Sequence, residues 1–122
     1  MRMRVLIVSR DFGLLSWGTS VLKGTHEVHV LDVLEADGAV NARPFDVCVV
    51  DIEGRCGMHL LDAVRQRCKN TPTIATIATR SMAKTADAYS HGAVAVLVAG
   101  DREGLAEMMV RLHEAQSSHA SL

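Results

Sequence analysis

The stretch FDVCVVDIEGRCG at residues 45–57 decides the fold. Val47 to Val50 form an uninterrupted apolar run rich in β-branched side chains, too short for a helix of its own. Such a run fits a strand buried on both faces, as strands are in parallel sheets. It stops at Asp51, and Glu53, Gly54 and Gly57 follow. A carboxylate at that point either merely ends the strand or lines a pocket where it takes a phosphoryl group or a metal ion.

Working outward, the same kind of run recurs. Val5-Leu6-Ile7-Val8 reads as a first buried strand, and Glu27–Leu31 as a second in which Val28 and Val30 oppose Glu27 and His29. Between them Leu14, Leu15, Val21 and Leu22 recur near helical spacing, against the preferences of Gly13 and Gly18. Residues 35–43 suggest a short helix that Gly38 and Asn41 disfavour. After residue 57 the period changes. Leu60, Leu61, Val64 and Cys68 make one apolar stripe opposed by Arg65, Gln66 and Lys69. Pro72 returns the chain to a strand over 73–78. A helix over 82–91 stops at Gly92, where a left-handed cap needs no Cβ. A fifth strand covers 93–98, and Asp101 can cap a last helix with Leu105, Met108, Met109 and Leu112 on its apolar face. Residues 116–122, QSSHASL, read as a flexible C-terminal tail or the start of a linker, leaving 1–115 as one domain. Strands alternating with helices imply a parallel α/β sheet covered on both faces. Functional residues in such sheets gather at the carboxyl ends of the strands. Asp51 lies there, with Ser9, Arg10 and Asp11.

Composition narrows the function classes. The 122 residues suffice for one domain with a core, and 48% hydrophobic with 22% charged residues is globular usage. A net charge of -1 gives no footprint for direct nucleic-acid binding. Cys48, Cys56 and Cys68 are odd in number and show no C-x-x-C spacing, which fits a reduced, cytoplasmic chain. His26 and His29 have no companions at zinc-site spacing. No apolar run approaches a bilayer span, and MRMRVLIVSR does not read as a signal peptide. The first strand runs into SRDFGLLSWG without G-x-G-x-x-G, and no G-x-x-x-x-G-K-[ST] loop or nucleophile elbow is present. The DFG at 11–13 has no catalytic loop before it.

Five stretches carry a resemblance: RVLIVSRD at 4–11, FDVCVVDIEG at 45–54, GMHLLDAVRQ at 57–66, TPTIATIAT at 71–79 and SHGAVAVLVAG at 90–100. In this order they resemble the receiver (CheY-like) domain of two-component response regulators over nearly the whole chain, as an atypical member. The resemblance implies a flavodoxin-like (βα)5 three-layer sandwich with strand order 2-1-3-4-5. It implies a signalling module rather than an enzyme, with Asp51 matching the aspartate that takes a phosphoryl group from a sensor kinase's histidine.

The remaining site positions depart from that pattern. Ser9 and Arg10 stand where the Mg²⁺-holding acid pair belongs, leaving Asp11 one place late. Ile77 replaces the signalling Thr or Ser, Val96 the aromatic residue, and Ala99 the lysine. Two readings follow. In one, Arg10 pairs with Asp51 as the pocket cation and makes a metal-free, permanently set domain that works by protein–protein contact. Phosphorylation then plays no part and no cofactor is needed. In the alternative, Asp11 and Asp51, with Glu53 as a further acid, hold Mg²⁺ for phosphoryl acceptance on Asp51. A third reading is a small-molecule-binding domain on the same sheet. The expected partner is a signalling protein or effector domain, with a homodimer through the face of the fourth and fifth helical segments. Ala83, Ala86, Ala88, Met108 and Met109 are expected on that face.

Overall fold

Each apolar run becomes a strand. A computed structural model describes residues 2–9, 12–31, 45–53 and 57–120. The chain order is β1 (Arg4–Val8), α1 (Phe12–Leu22), β2 (Glu27–Leu31), β3 (Val47–Asp51), α2 (Gly57–Arg67), β4 (Thr73–Ile77), α3 (Met82–Ser90), β5 (Ala95–Val98) and α4 (Arg102–Ala120). The helix expected over 35–43 lies outside the described residues, so helix numbering here skips it.

The strands form one parallel sheet in the order β2-β1-β3-β4-β5. Every residue of β3 and of β4 is buried, as double-sided coverage requires. Alternation along the strands sorts their side chains into two apolar layers. Leu6, Val8, Cys48, Val50, Ala75 and Ile77 pack with Leu60, Leu61, Val64 and Ala88 of α2 and α3. Val5, Ile7, Val47, Val49, Ile74 and Ala95 pack with Leu22 of α1 and Leu105 and Met109 of α4. The result is the three-layer sandwich expected of the sequence.

Local chemistry sets the helix ends. Ser81 caps α3, its Oγ accepting the Lys84 N–H at 3.2 Å, and the chain leaves that helix through Gly92 at φ 96°. Asp101 caps α4 through the Gly104 N–H at 3.0 Å. The last helix continues to Ala120, through the segment read as a tail. Gln116 Nε2 donates to the Asp46 carbonyl at 2.9 Å and so ties this helix beside β3.

Two expectations about surface change. Ala88 and Met109 are buried in the protein's own core, at 0% and 1% exposure, and offer nothing to a partner. Helical phase accounts for both: each falls on the face that its helix turns to the sheet. Met82, at 92%, is the most exposed large apolar side chain among the described residues, with Tyr89 and Val110 also exposed on α3 and α4. Cys48 and Cys68 are free and buried, and burial followed by the neighbouring Cys68 pushes the Cys48 thiol upward. Cys56 lies outside the described residues. Among the described residues no helix is long and apolar enough to cross a membrane.

Candidate functional site

Parallel pairing brings the strand ends level. Val8 pairs with Val50 and Asp51 with Thr76, so Ser9, Asp51 and Thr76 meet at one edge. Asp51 is 8% exposed, and both carboxylate oxygens are held. Ser9 Oγ donates to Oδ2 at 2.9 Å, and the Glu53 backbone N–H donates to Oδ1 at 3.0 Å. Two fixed donors orient the carboxylate and offset part of its desolvation. Among the described residues, the space beside it on the α1 side is about 10 Å³, lined by Ser9, Trp17, Gly18 and Thr76, room for about one water.

Glu53 turns its own carboxylate to the end of β4. Oε1 accepts the Ala78 N–H at 2.7 Å, and Oε2 meets Lys84 Nζ of α3 at 2.7 Å. The Lys84 hydrogen bond, then the Ala78 amide, hold the Glu53 carboxyl below the usual carboxylate range. Two loops and a helix are thereby linked at the strand ends: Asp51 to Glu53, and Glu53 to Ala78 and Lys84.

The other predicted positions fall as follows. Ile77 is 2% exposed, and its carbonyl accepts the Ala99 N–H at 2.8 Å. Ile77 and Val96 line a groove of about 550 Å³ between α3 and β5, with Met82, Thr85 and Val98 and with Arg80 and Asp101 at its polar part. Arg10 and Asp11 lie outside the described residues, and so does the expected pairing of Arg10 with Asp51. The sequence reading missed Lys84 and the Ala78 amide. A signal for them existed: in a parallel α/β sheet the start of every helix following a strand sits at the edge where that strand ends. Ser81 marks the start of α3, which puts Lys84 in its first turn, on the same edge as Asp51.

The backbone compares closely with solved structures. NtrX from Brucella abortus superposes with a TM-score of 0.85 at 20% identity, covering 99% of this chain and 29% of that one. A CheY-like receiver protein from Methanospirillum hungatei gives 0.78 at 20% identity, covering 97% and 99%. The chain has the receiver fold. It also matches chemotaxis protein CheY4 of Vibrio cholerae, with a TM-score of 0.78 at 24% identity, covering 92% of this chain and 99% of that one. It spans less than a third of the NtrX chain. No protein-family model matches the chain, and no curated protein matches it.

Receivers of the usual pattern hold Mg²⁺ at this edge, and Asp11, the acid expected to hold it here together with Asp51, lies outside the described residues. Ser9 contributes a hydroxyl where an acid is wanted, and that hydroxyl is already donating to Asp51. Both Glu53 oxygens are engaged by Ala78 and Lys84. Among the described residues no group of three His, Cys, Asp or Glu side chains could hold a metal ion.

Proposed function

We propose that the chain is a signalling module in which Asp51 accepts a phosphoryl group and a protein partner reads the face made by α3, β5 and α4. The observation that carries this reading is the buried Asp51 carboxylate, oriented by Ser9 and the Glu53 amide at the carboxyl edge of a receiver-fold sheet. In the transfer, a carboxylate oxygen attacks phosphorus of a phosphohistidine or acyl phosphate. The new P–O bond forms as the donor's P–N or P–O bond breaks, and the donor leaves with that electron pair. An acyl phosphate remains on Asp51. A neutral Ser9 in place of an acid lowers the like-charge repulsion met by the incoming phosphoryl oxygens.

The groove between α3 and β5 is the surface offered to the partner. Val96 in place of an aromatic ring leaves apolar space there, and Met82 stands at its border. A partner inserting an aliphatic or aromatic side chain would bury both.

A second reading has its own support. Ile77 has no hydroxyl to move toward a phosphoryl oxygen, which favours a fixed docking module that ignores phosphorylation. Intact mass after incubation with acetyl phosphate, with and without Mg²⁺, separates the two. A labile gain of one phosphoryl group in the wild type, absent in Asp51→Asn, is the outcome for the acceptor. An unchanged mass under both conditions would leave the fixed module.

A further inference from the structure

Glu53 is the residue that ties Asp51 to the end of β4 and the first turn of α3. Its backbone N–H is on Asp51 Oδ1, and its side-chain carboxylate fills the space between the Ala78 amide and the Lys84 ammonium. A fixed N–H and a lysine, both at 2.7 Å from one carboxylate, are the donor set that binds a phosphate-class oxyanion. At the end of β5, Ala99 supplies no cation, so the cation tied to this edge by the described contacts is Lys84.

We infer that the Ala78 N–H and Lys84 form an oxyanion site that the Glu53 carboxylate plugs at rest, and that a phosphoryl group on Asp51 displaces this plug. The assignment of the incoming anion rests on Asp51 as acceptor; the existence of the site does not. Exchange is easy for two reasons. The Glu53–Lys84 pair is partly open to water, with the Lys84 side chain 47% exposed, and such pairs are weak. The incoming phosphoryl group carries nearly twice the charge of the carboxylate that it replaces, and more acceptor oxygens.

The exchange has a path to the surface. Lys84 lies in the first turn of α3, where its backbone N–H is held by Ser81 Oγ. Ser81, Met82 and Thr85 of that same turn line the groove beside β5. Moving Lys84 from Glu53 to an anion nearer Asp51 therefore shifts a wall of the groove, without a hydroxyl at Ile77 or a ring at Val96.

Inorganic phosphate tests the site apart from any phosphorylation. Titrated into ¹⁵N-labelled Asp51→Asn protein, it should perturb the Ala78 amide weakly. With Glu53→Ala added, the Ala78 shift should saturate at a concentration about fivefold lower, since a competing ion pair has gone. Adding Lys84→Met should abolish that gain. Glu53→Gln, which keeps the side chain's volume, serves the same comparison if the alanine variant gives a poorly dispersed spectrum. Equal phosphate response with and without Glu53, or a gain that survives Lys84→Met, would overturn the site. Acetyl phosphate on the wild-type protein then identifies the anion. Ala78 and Lys84 resonances that move together with the mass gain assign it to phospho-Asp51. A mass gain without those shifts rejects the displacement while leaving the acceptor intact. Phosphate binding without any mass gain keeps the site, assigns it to free phosphate and rejects the acceptor.

Discussion

At residue scale, two buried ionisable side chains, Asp51 and His26, are each placed by specific donors. Asp51 has Ser9 and the Glu53 amide; His26 accepts the Met3 N–H at 3.1 Å through Nδ1. Accepting that bond requires the ring to be neutral at Nδ1. Burial first, then positive charge from the N-terminus, His113 and Arg2, lowers the His26 pKa from its ordinary 6.5. A depressed folded-state value means that the unfolded chain takes the proton first as pH falls. The stabilisation is therefore complete above about pH 6.5 and is lost as pH drops through the lower folded-state value. Denaturant midpoints at about pH 7.5 and about pH 5.5 should show the wild type losing roughly 1 kcal/mol more than His26→Gln, whose amide oxygen can accept from Met3 at both values. Equal losses in the two proteins would remove His26 from the pH response. At this scale the sequence exposed Asp51 through its place at a strand end. It concealed what Glu53 does, because only the fold shows that its side chain reaches residues 25 and 31 positions away.

At the scale of elements, legibility followed burial. β1, β3 and β4 were plain because strands covered on both faces keep apolar or small residues between their ends. α1 was obscure because Gly13 and Gly18 weaken its helical signal. A Cβ on Gly18 would meet Ile7 Cδ1 at 3.4 Å, an ordinary contact, so packing on β1 does not require glycine there. The junction before α2 is tighter. A Cβ on Gly57 would collide with the backbone carbonyl of Ile52, the residue directly after Asp51. Gly57→Ala must therefore push α2 away from the end of β3. Urea unfolding should show a loss of about 1–3 kcal/mol, the usual cost of overpacking a rigid site. A variant within about 0.5 kcal/mol of wild type would mean that the junction yields freely.

At the scale of the molecule, the two apolar layers fix the sheet, and the strand ends are where the chain departs from the receiver pattern. The covered parallel sheet was readable from alternating element types and its strand order from the resemblance; the surface open to a partner was not. Ala88 and Met109 looked available in sequence and are core, whereas Met82 and the groove beside Val96 are open. An apolar side chain 92% exposed beside that groove is a natural contact for a second copy of the chain. Sedimentation equilibrium should show concentration-dependent dimerisation, weakened about tenfold by Met82→Glu. A monomer throughout the high-micromolar range would exclude this contact.

All three scales meet in whether charge placed on Asp51 is felt by α3. Amide hydrogen exchange across residues 78–90, measured with and without acetyl phosphate, reads this directly, with Asp51→Asn as the reference. The expected result is altered exchange at the first turn of α3 in the wild type alone. Phosphorylated protein whose α3 amides exchange like those of Asp51→Asn would contradict the coupling between the acceptor and the groove.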